Sequence, residues 1–319
     1  MRRALSVGID QYSFGALRGC VSDAMRIDKL LRTNHDGSRN FDCKVLLAPS
    51  GGPDTSVTRV ILRERITELF SAPADVALLY FSGHGTVNDL DGYLCTQDAI
   101  AYDVGVTMGE ILKLANNSQV KEVVVILDCC FAGNFGNMPD IDNARATLRE
   151  GISILTASRG DQPSLETEAG GVFTSLLADA LDGGAADILG KVSATAIYAY
   201  IEAALGAWHQ RPLFKAHVTQ VLPLRYCKAP IDKAILLRLP TLFTLPAEDI
   251  QLDPTFEPKS NNPNINNVAI FEDLQSLNRV FLVTPVDAKH MYDAAMQSKA
   301  CRLTPTGRYY WRLANDGRL

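Results

Sequence analysis

The sequence predicts an α/β fold in which a mainly parallel sheet is flanked by helices. Short aliphatic and β-branched runs alternate along the chain with segments of helical apolar spacing. The two strongest runs, residues 76–81 and 123–127, are apolar along their whole length, as expected of strands that are buried on both faces. Glycine-containing or polar segments follow both runs, so we expect both strands to end there.

The first elements follow from local pattern. An apolar run directly after Met1 and two arginines predicts a strand over 4–9, and apolar residues at helical spacing predict a helix over 22–31. A second apolar run predicts a strand over 43–47. A Gly-Gly-Pro-Asp turn separates it from a helix over 56–70, whose Arg/Glu face is most simply solvated.

The later elements continue the alternation. A Gly-Tyr-Leu strand signal near residue 93 and a helical segment around 107–114 join the two strongest strands. The remaining predictions are a strand near 152–157 and helices near 171–181 and 193–207. Strands that alternate with helices pair in parallel through crossover connections.

Reactive side chains follow both of the strongest strands. Cys129 and Cys130 come after one strand with Asp128, and His84 comes after the other within Ser-Gly-His-Gly. Functional groups gather at the carboxyl edge of an open α/β sheet. A thiol with a pKa of about 8.5 needs a nearby base to act as a nucleophile at neutral pH. The thiols taken alone also fit a structural role, because buried cysteines are common and inert.

Motifs between residue 1 and about residue 225 resemble the caspase-like peptidases, in particular the metacaspases and bacterial caspase homologues. The motifs are ALSVGIDQY from residue 4, LRGCVSDA from residue 17, SGHG from residue 82, LDCCFAG from residue 127, ISILTAS from residue 152 and GGVFTS from residue 170. The histidine precedes the second thiol by 46 residues, close to the spacing of about 50 in caspases. The resemblance implies a six-stranded, mainly parallel sheet and cysteine peptidase activity.

The resemblance also implies catalytic roles. Cys130 would be the nucleophile, and His84 would be the base that takes the thiol proton and later protonates the leaving amine. The backbone N–H groups of Gly85 and Cys130 would form the oxyanion hole. Phe131 and Ala132 depart from the His and Ser that metacaspases usually carry there.

Three further residues match the acidic specificity pocket of metacaspases: Asp23, Ser82 and Asp128. A carboxylate at the base of such a pocket pairs with a guanidinium group and repels an acid. We therefore expect cleavage of protein substrates after Arg, then Lys. The alternative for Asp23 is the ordinary preference of Asp for a helix N-terminus.

The long segment 134–151 is the predicted processing loop. By the resemblance, activation cleavage falls in such a linker, and Arg145 and Arg149 are the candidate sites, cut by the protein itself or by another protease. A plain exposed loop is the equally simple alternative. By family analogy, a role in bacterial defence or programmed death is expected, but no particular residue of this sequence indicates it.

We expect three parts: a peptidase domain over 1–229, an extended Pro- and Asn-rich linker over 230–267, and a small, mostly helical module over 268–319. The Leu-Thr-x-x-Gly pattern from residue 303 resembles some winged-helix modules. From residue 260 onward the chain has seven Lys/Arg and five Asp/Glu. This excess of positive charge is too small to predict DNA binding. For the C-terminal module we favour a role in docking a partner protein or an activating protease, or in covering the peptidase domain.

Composition narrows the function classes. The net charge of −5 gives no attraction to nucleic acid or to anionic membranes, and no long apolar run predicts a membrane span. Seven cysteines without a Cys-x-x-Cys pair favour a cytoplasmic enzyme. Asp89, Asp91 and Asp98 leave a calcium requirement open but do not define a site. No other cofactor is expected. An inactive peptide-binding relative and a DNA-associated regulator are the alternative functions.

Overall fold

The computed structural model describes residues 1–53, 55–88, 91–101, 103–129, 148–157, 166–167, 170–205, 212–219 and 221–319. The chain forms two compact units, Met1–Lys228 and Ala229–Leu319. Within the described ranges, no helix combines the length and the apolar character needed to cross a membrane.

The first unit is built on strands that alternate with helices. Its elements are β1 (Arg2–Ile9), α1 (Cys20–Arg32), β2 (Asp42–Ala48), α2 (Arg59–Ser71), β3 (Val76–Ser82), β4 (Gly85–Val87), β5 (Gly92–Ile100), β6 (Asp103–Thr107), α3 (Met108–Asn117), β7 (Glu122–Asp128), β8 (Ile152–Thr156), β9 (Glu166–Thr167), β10 (Gly170–Gly171), α4 (Val172–Asp179), β11 (Lys191–Val192), α5 (Ala194–Leu205), β12 (Leu213–His217) and β13 (Arg225–Tyr226). A π-helical turn over Ala180–Gly184 follows α4.

The central sheet has six strands in the order β12-β8-β7-β3-β1-β2. Its strands pair in parallel except β12, which is antiparallel to β8. Every residue of β3 and of β7 is buried, and core clusters cover both faces of the sheet. The predicted α/β fold with a mainly parallel six-stranded sheet is confirmed.

The turn from β1 into α1 is fixed by backbone geometry. Asp10 Oδ1 accepts hydrogen bonds from the N–H of Cys20 at 2.8 Å and of Val21 at 3.4 Å, which caps the start of the helix. A Cβ atom on Gly8 would clash with the carbonyl oxygen of Cys20, so β1 and α1 approach more closely than a larger residue allows. This packing fixes the direction in which the first turn of α1, with Asp23, faces the sheet edge.

Two features of the first unit were not predicted. β4, β5 and β6 form a separate antiparallel sheet, of which the sequence indicated only the strand near residue 93. β12 completes the main sheet, although Pro212 before it and the exposed residues at its end obscure its strand pattern.

The second unit contains a small antiparallel sheet and several helices. Its elements are α6 (Lys233–Leu237), α7 (Leu239–Leu242), β14 (Asp249–Gln251), a 3₁₀ turn (Pro254–Phe256), α8 (Ile265–Arg279), β15 (Val283–Val286), α9 (Met291–Met296), β16 (Ala300–Leu303) and α10 (Pro305–Asn315). The sheet order is β14-β16-β15, with both pairs antiparallel.

The predicted extended linker over 230–267 is wrong. This segment supplies α6, α7 and β14, and β14 pairs with β16. The polar residues that suggested a linker act as caps: Asp253 accepts from the N–H of Thr255, and Asn264 accepts from the first N–H groups of α8. Capping residues are also typical of loops, so composition alone misidentified a folded segment.

Candidate active site

The ends of β3 and β7 bring the predicted site residues to one level. Ser82 pairs with Asp128 in the register of the two strands, and the N–H of Gly83 donates to the carbonyl oxygen of Asp128 at 3.4 Å. His84 and the buried Cys129 therefore lie just beyond the ends of neighbouring strands, at the same edge of the sheet. Cys130 lies outside the described residues, one position further along the chain.

The His84 imidazole is held by a hydrogen bond to the segment that follows β1. Its Nε2 lies 2.7 Å from the carbonyl oxygen of Gly15. A carbonyl oxygen only accepts, so Nε2 carries the proton and donates. In this tautomer of the neutral ring, the free lone pair is on Nδ1. Nδ1 is therefore the atom through which the ring can accept a proton.

Tyr12 supports the same imidazole from the backbone side. Its hydroxyl accepts from the N–H of His84 at 3.0 Å and donates to the carbonyl oxygen of Cys95 at 3.3 Å. Its ring centroid lies 4.8 Å from that of His84, and the ring of Phe14, which is 52% exposed, lies 5.5 Å away. Burial holds the pKa of Tyr12 well above its usual value, so its hydroxyl keeps the proton that it donates.

A cavity of about 110 Å³ lies beside His84. Its lining residues are Leu17, Arg18, Cys20, Asp23, Ser82, Gly83, His84, Asp128, Cys129 and Gly171. The three residues predicted for the acidic pocket are thus together in one cavity. Asp23 and Asp128 are each 7% exposed, and Ser82 is 2% exposed.

Hydrogen bonds fix both carboxylates. Asp23 Oδ2 accepts from the N–H of Gly171 at 3.1 Å, and Asp128 Oδ2 accepts from the hydroxyl of Thr174 at 2.6 Å. The Thr174 oxygen is also 2.6 Å from the Tyr80 hydroxyl. Since the one proton of Thr174 goes to the carboxylate, Tyr80 is the donor in that second bond.

The cavity is more negative than positive. Buried carboxylates of Asp23 and Asp128 lie inside it, whereas the guanidinium of Arg18 is exposed. Burial raises the pKa of Tyr80 well above its usual value, and the negative charges of these two carboxylates raise it further. A buried carboxylate pair next to an open volume favours a cationic side chain.

The sequence alone does not indicate a role for several residues of this site. Tyr12, Gly171 and Thr174 stand within the motifs that carried the family resemblance, but no sequence signal separated them from packing residues. Arg18 and Gly15 lie in the segment between β1 and α1. Gly15 acts through its carbonyl group, which residue identity does not reveal.

The remaining predicted site residues are placed as follows. Gly85 begins β4 and pairs with Leu94 of β5. The acids considered for calcium serve the backbone: Asp91 accepts from the N–H of Gly109, and Asp98 accepts from the N–H of Arg59. Asp89 lies outside the described residues. In the described part of the chain, no group of three or more His, Cys, Asp or Glu could hold a metal ion.

Arg149 is bound to the end of α3. Its guanidinium donates to the carbonyl oxygens of Ala115 and Val120 and to the Ser118 hydroxyl, at 2.7–3.1 Å. Its backbone N–H donates to Asn116 Oδ1 at 2.9 Å. Arg145, the other predicted processing site, lies outside the described residues.

Comparison with known proteins adds a family and a fold. A family model described as a caspase domain matches residues 1–222. A crystal structure of protein GSU0716 from Geobacter sulfurreducens matches with a TM-score of 0.52 and 19% identity, covering 71% of this chain and 99% of that chain. A crystal structure of caspase-1 from Spodoptera frugiperda matches with a TM-score of 0.51 and 12% identity, covering 71% of this chain and 90% of that one. No curated protein matches.

Proposed function

Because the chain belongs to the caspase domain family of cysteine peptidases, we propose that it is an endopeptidase that cleaves proteins after basic residues, Arg before Lys. Cys130 is the nucleophile and His84 is the base. The observation that carries the specificity is the pair of buried carboxylates, Asp23 and Asp128, in the cavity that His84 lines.

The proposed reaction follows the orientation of the imidazole. Nδ1 of His84 takes the thiol proton, and the thiolate of Cys130 attacks the scissile carbonyl carbon. The N–H groups of Gly85 and Cys130 stabilise the oxyanion, at about 3–4 kcal/mol per donor in other acyl-transfer enzymes. The imidazolium then protonates the leaving amine as the C–N bond breaks. Water, deprotonated by the same imidazole, hydrolyses the thioester and restores the thiol.

Gly15 supports this cycle through its carbonyl oxygen. The hydrogen bond from Nε2 selects the tautomer whose free lone pair is on Nδ1, and the same bond can remain in place after Nδ1 has taken the thiol proton. The register of β3 and β7 supports the placement of the nucleophile, because His84 and Cys130 each stand two positions after a paired residue, Ser82 or Asp128.

The specificity rests on charge and shape. A guanidinium group has parallel N–H donors that match a carboxylate, whereas an ammonium group is a point charge, so Arg is favoured over Lys. An aspartate side chain in the same cavity would face two fixed negative charges. The cavity therefore selects against the acidic residues that caspases of the Asp-cleaving type accept.

Fluorogenic peptides that differ only in the last residue, Arg, Lys, Asp or Leu, test the proposal. We expect hydrolysis in the order Arg, Lys, with little of the others, and none by Cys130→Ala or His84→Ala. Asp128→Asn and Asp23→Asn should each lower kcat/KM for the Arg peptide at least tenfold. Asp42→Asn, an exposed acid that pairs with Arg39, is the matched control and should behave as wild type.

The same assay separates the alternatives. Assays with calcium and with a chelator test the calcium requirement. Binding of the Arg peptide without its hydrolysis in either condition would favour an inactive peptide-binding protein. Preferential cleavage after Asp would contradict the assignment of the cavity.

We also propose that the peptidase is processed in the loop before β8, after Arg145 rather than Arg149. The side chain before a cut bond must enter the specificity cavity, and the Arg149 guanidinium would first have to leave its three acceptors at the end of α3. Intact-mass analysis of wild type, Cys130→Ala, Arg145→Gln and Arg149→Gln tests this. A cut that is lost only in Arg149→Gln would contradict it. Full-length, uncut chains of both the wild type and Cys130→Ala, with the wild type fully active, would also contradict it.

A further inference from the structure

Among the described residues that line the cavity, Arg18 is the one charged residue that the proposed specificity does not use. It lies at the mouth, where its side chain is exposed, while Asp23 and Asp128 lie buried inside. Among the residues that the structure describes, none forms a hydrogen bond or ion pair with its guanidinium.

The backbone of Arg18 is held on both sides. The N–H of Leu17 donates to the carbonyl oxygen of Asp10 at 2.9 Å. The carbonyl oxygen of Gly19 accepts from the N–H of Asp23 at 2.8 Å and from the Ser22 hydroxyl at 2.8 Å. The fixed backbone anchors this long, exposed side chain beside the cavity mouth, so its positive charge stays near the mouth in any of its rotamers.

We propose that Arg18 determines specificity at the residues next to the cleaved basic residue, favouring an acidic side chain there and disfavouring Lys or Arg. This inference rests on the proposed function. Once a substrate arginine fills the cavity, its side chain is paired with the buried carboxylates, and Arg18 faces the neighbouring part of the substrate. A carboxylate there gains a charge-assisted partner, whereas a second cation meets like charge.

The expected size follows from the exposure of Arg18. An exposed ion pair contributes about 0.2–1 kcal/mol, which corresponds to a factor of up to about five. We expect kcat/KM to be about two- to fivefold higher for Glu than for Gln beside the scissile Arg, and lower for Lys by a similar factor. Salt screens exposed charges, so the preference should shrink between low and high ionic strength.

Internally quenched peptides with Glu, Gln or Lys immediately before or immediately after the scissile Arg test the inference. Arg18→Gln should lower kcat/KM for the Glu peptides and raise it for the Lys peptides, and Arg18→Lys should keep the wild-type order. Arg39→Gln removes the same charge at an exposed position whose pairing partner, Asp42, does not line the cavity, and it should leave the order unchanged.

The outcomes separate the two claims. Cleavage after Arg with no preference for Glu at either position, or a preference that Arg18→Gln retains, overturns the role of Arg18 and leaves the proposed function intact. If Arg18→Gln changed the type of residue after which the protein cleaves, this result would also overturn the role of Arg18, because Arg18 would then act inside the cavity. No cleavage after any basic residue removes the proposed function and this inference together.

Discussion

Thr174→Val tests whether the carboxylate of Asp128 is held in place by the buried chain of hydroxyls behind it. Valine has nearly the same shape as threonine but no hydroxyl. The substitution therefore removes the 2.6 Å hydrogen bond to Asp128 and leaves the Tyr80 hydroxyl without its 2.6 Å acceptor. Both Thr174 and Tyr80 are fully buried, so solvent cannot replace either bond.

The expected loss of stability is the sum of two effects. A buried hydrogen bond to a charged acceptor contributes about 1.5–3 kcal/mol. A buried hydroxyl that loses its acceptor costs about 1–3 kcal/mol, and the cost for Tyr80 lies at the low end because its hydroxyl keeps a hydrogen bond with Ser82. Allowing for relaxation around the site, we expect Thr174→Val to lower the free energy of unfolding by about 2–4 kcal/mol. Thr174→Ser keeps the hydroxyl and loses one methyl group, for about 1 kcal/mol.

Urea unfolding followed by circular dichroism measures these differences. The same variants, assayed with the Arg and Lys peptides, report on the cavity: KM for the Arg peptide should rise about threefold or more in Thr174→Val and stay near wild type in Thr174→Ser. Equal stability and equal KM for the two variants would refute the reasoning, because the hydroxyl would then hold neither Tyr80 nor Asp128.

Three further substitutions have expected outcomes. Tyr12→Phe removes the hydroxyl that joins the backbone of His84 to β5, so kcat should fall about tenfold with little change in KM, as steady-state kinetics would show. Arg149→Met keeps the apolar stem but removes the guanidinium donor from the carbonyl oxygen of Val120 and from the Ser118 hydroxyl, whereas the carbonyl oxygen of Ala115 keeps its donors from Ser118, so thermal unfolding should reveal a loss of about 2 kcal/mol. Burial raises the pKa of Glu122, so the folded state binds more protons than the unfolded state above the ordinary pKa, and stability falls as pH rises through that window. Glu122→Gln should therefore be more stable than wild type at pH 8, on the order of 1 kcal/mol, and gain nothing at pH 4 in matched unfolding curves.

The fold of the first unit was predictable because its signals are local. The strands β3 and β7 are buried on every residue, and an uninterrupted apolar run is the direct consequence of burial on both faces. Their ends were predictable for the same reason, since the apolar run stops where the chain leaves the sheet. The position of β12 was not, because an antiparallel edge strand with exposed residues has no uninterrupted apolar run.

The candidate site was predictable only where residue type carries the chemistry. A histidine, a thiol and two acids are visible in a sequence, and the family resemblance assigned each a role. The contacts that orient them are largely backbone contacts: the carbonyl oxygen of Gly15 for the imidazole and the N–H of Gly171 for Asp23. Any residue could supply such a group, so the sequence alone does not mark its donor or acceptor.

The segment between β1 and α1 contributes to several of these contacts at once. Asp10 caps the helix that carries Asp23, Gly15 sets the tautomer of His84, and Arg18 stands at the mouth of the cavity. The proposed general base, His84, and one wall of the proposed specificity cavity are thus held by ten consecutive residues, 10–19, rather than by separate loops. A shift of this segment would move the imidazole and the cavity mouth together, so the proposed function predicts that catalysis and specificity are coupled through one stretch of backbone.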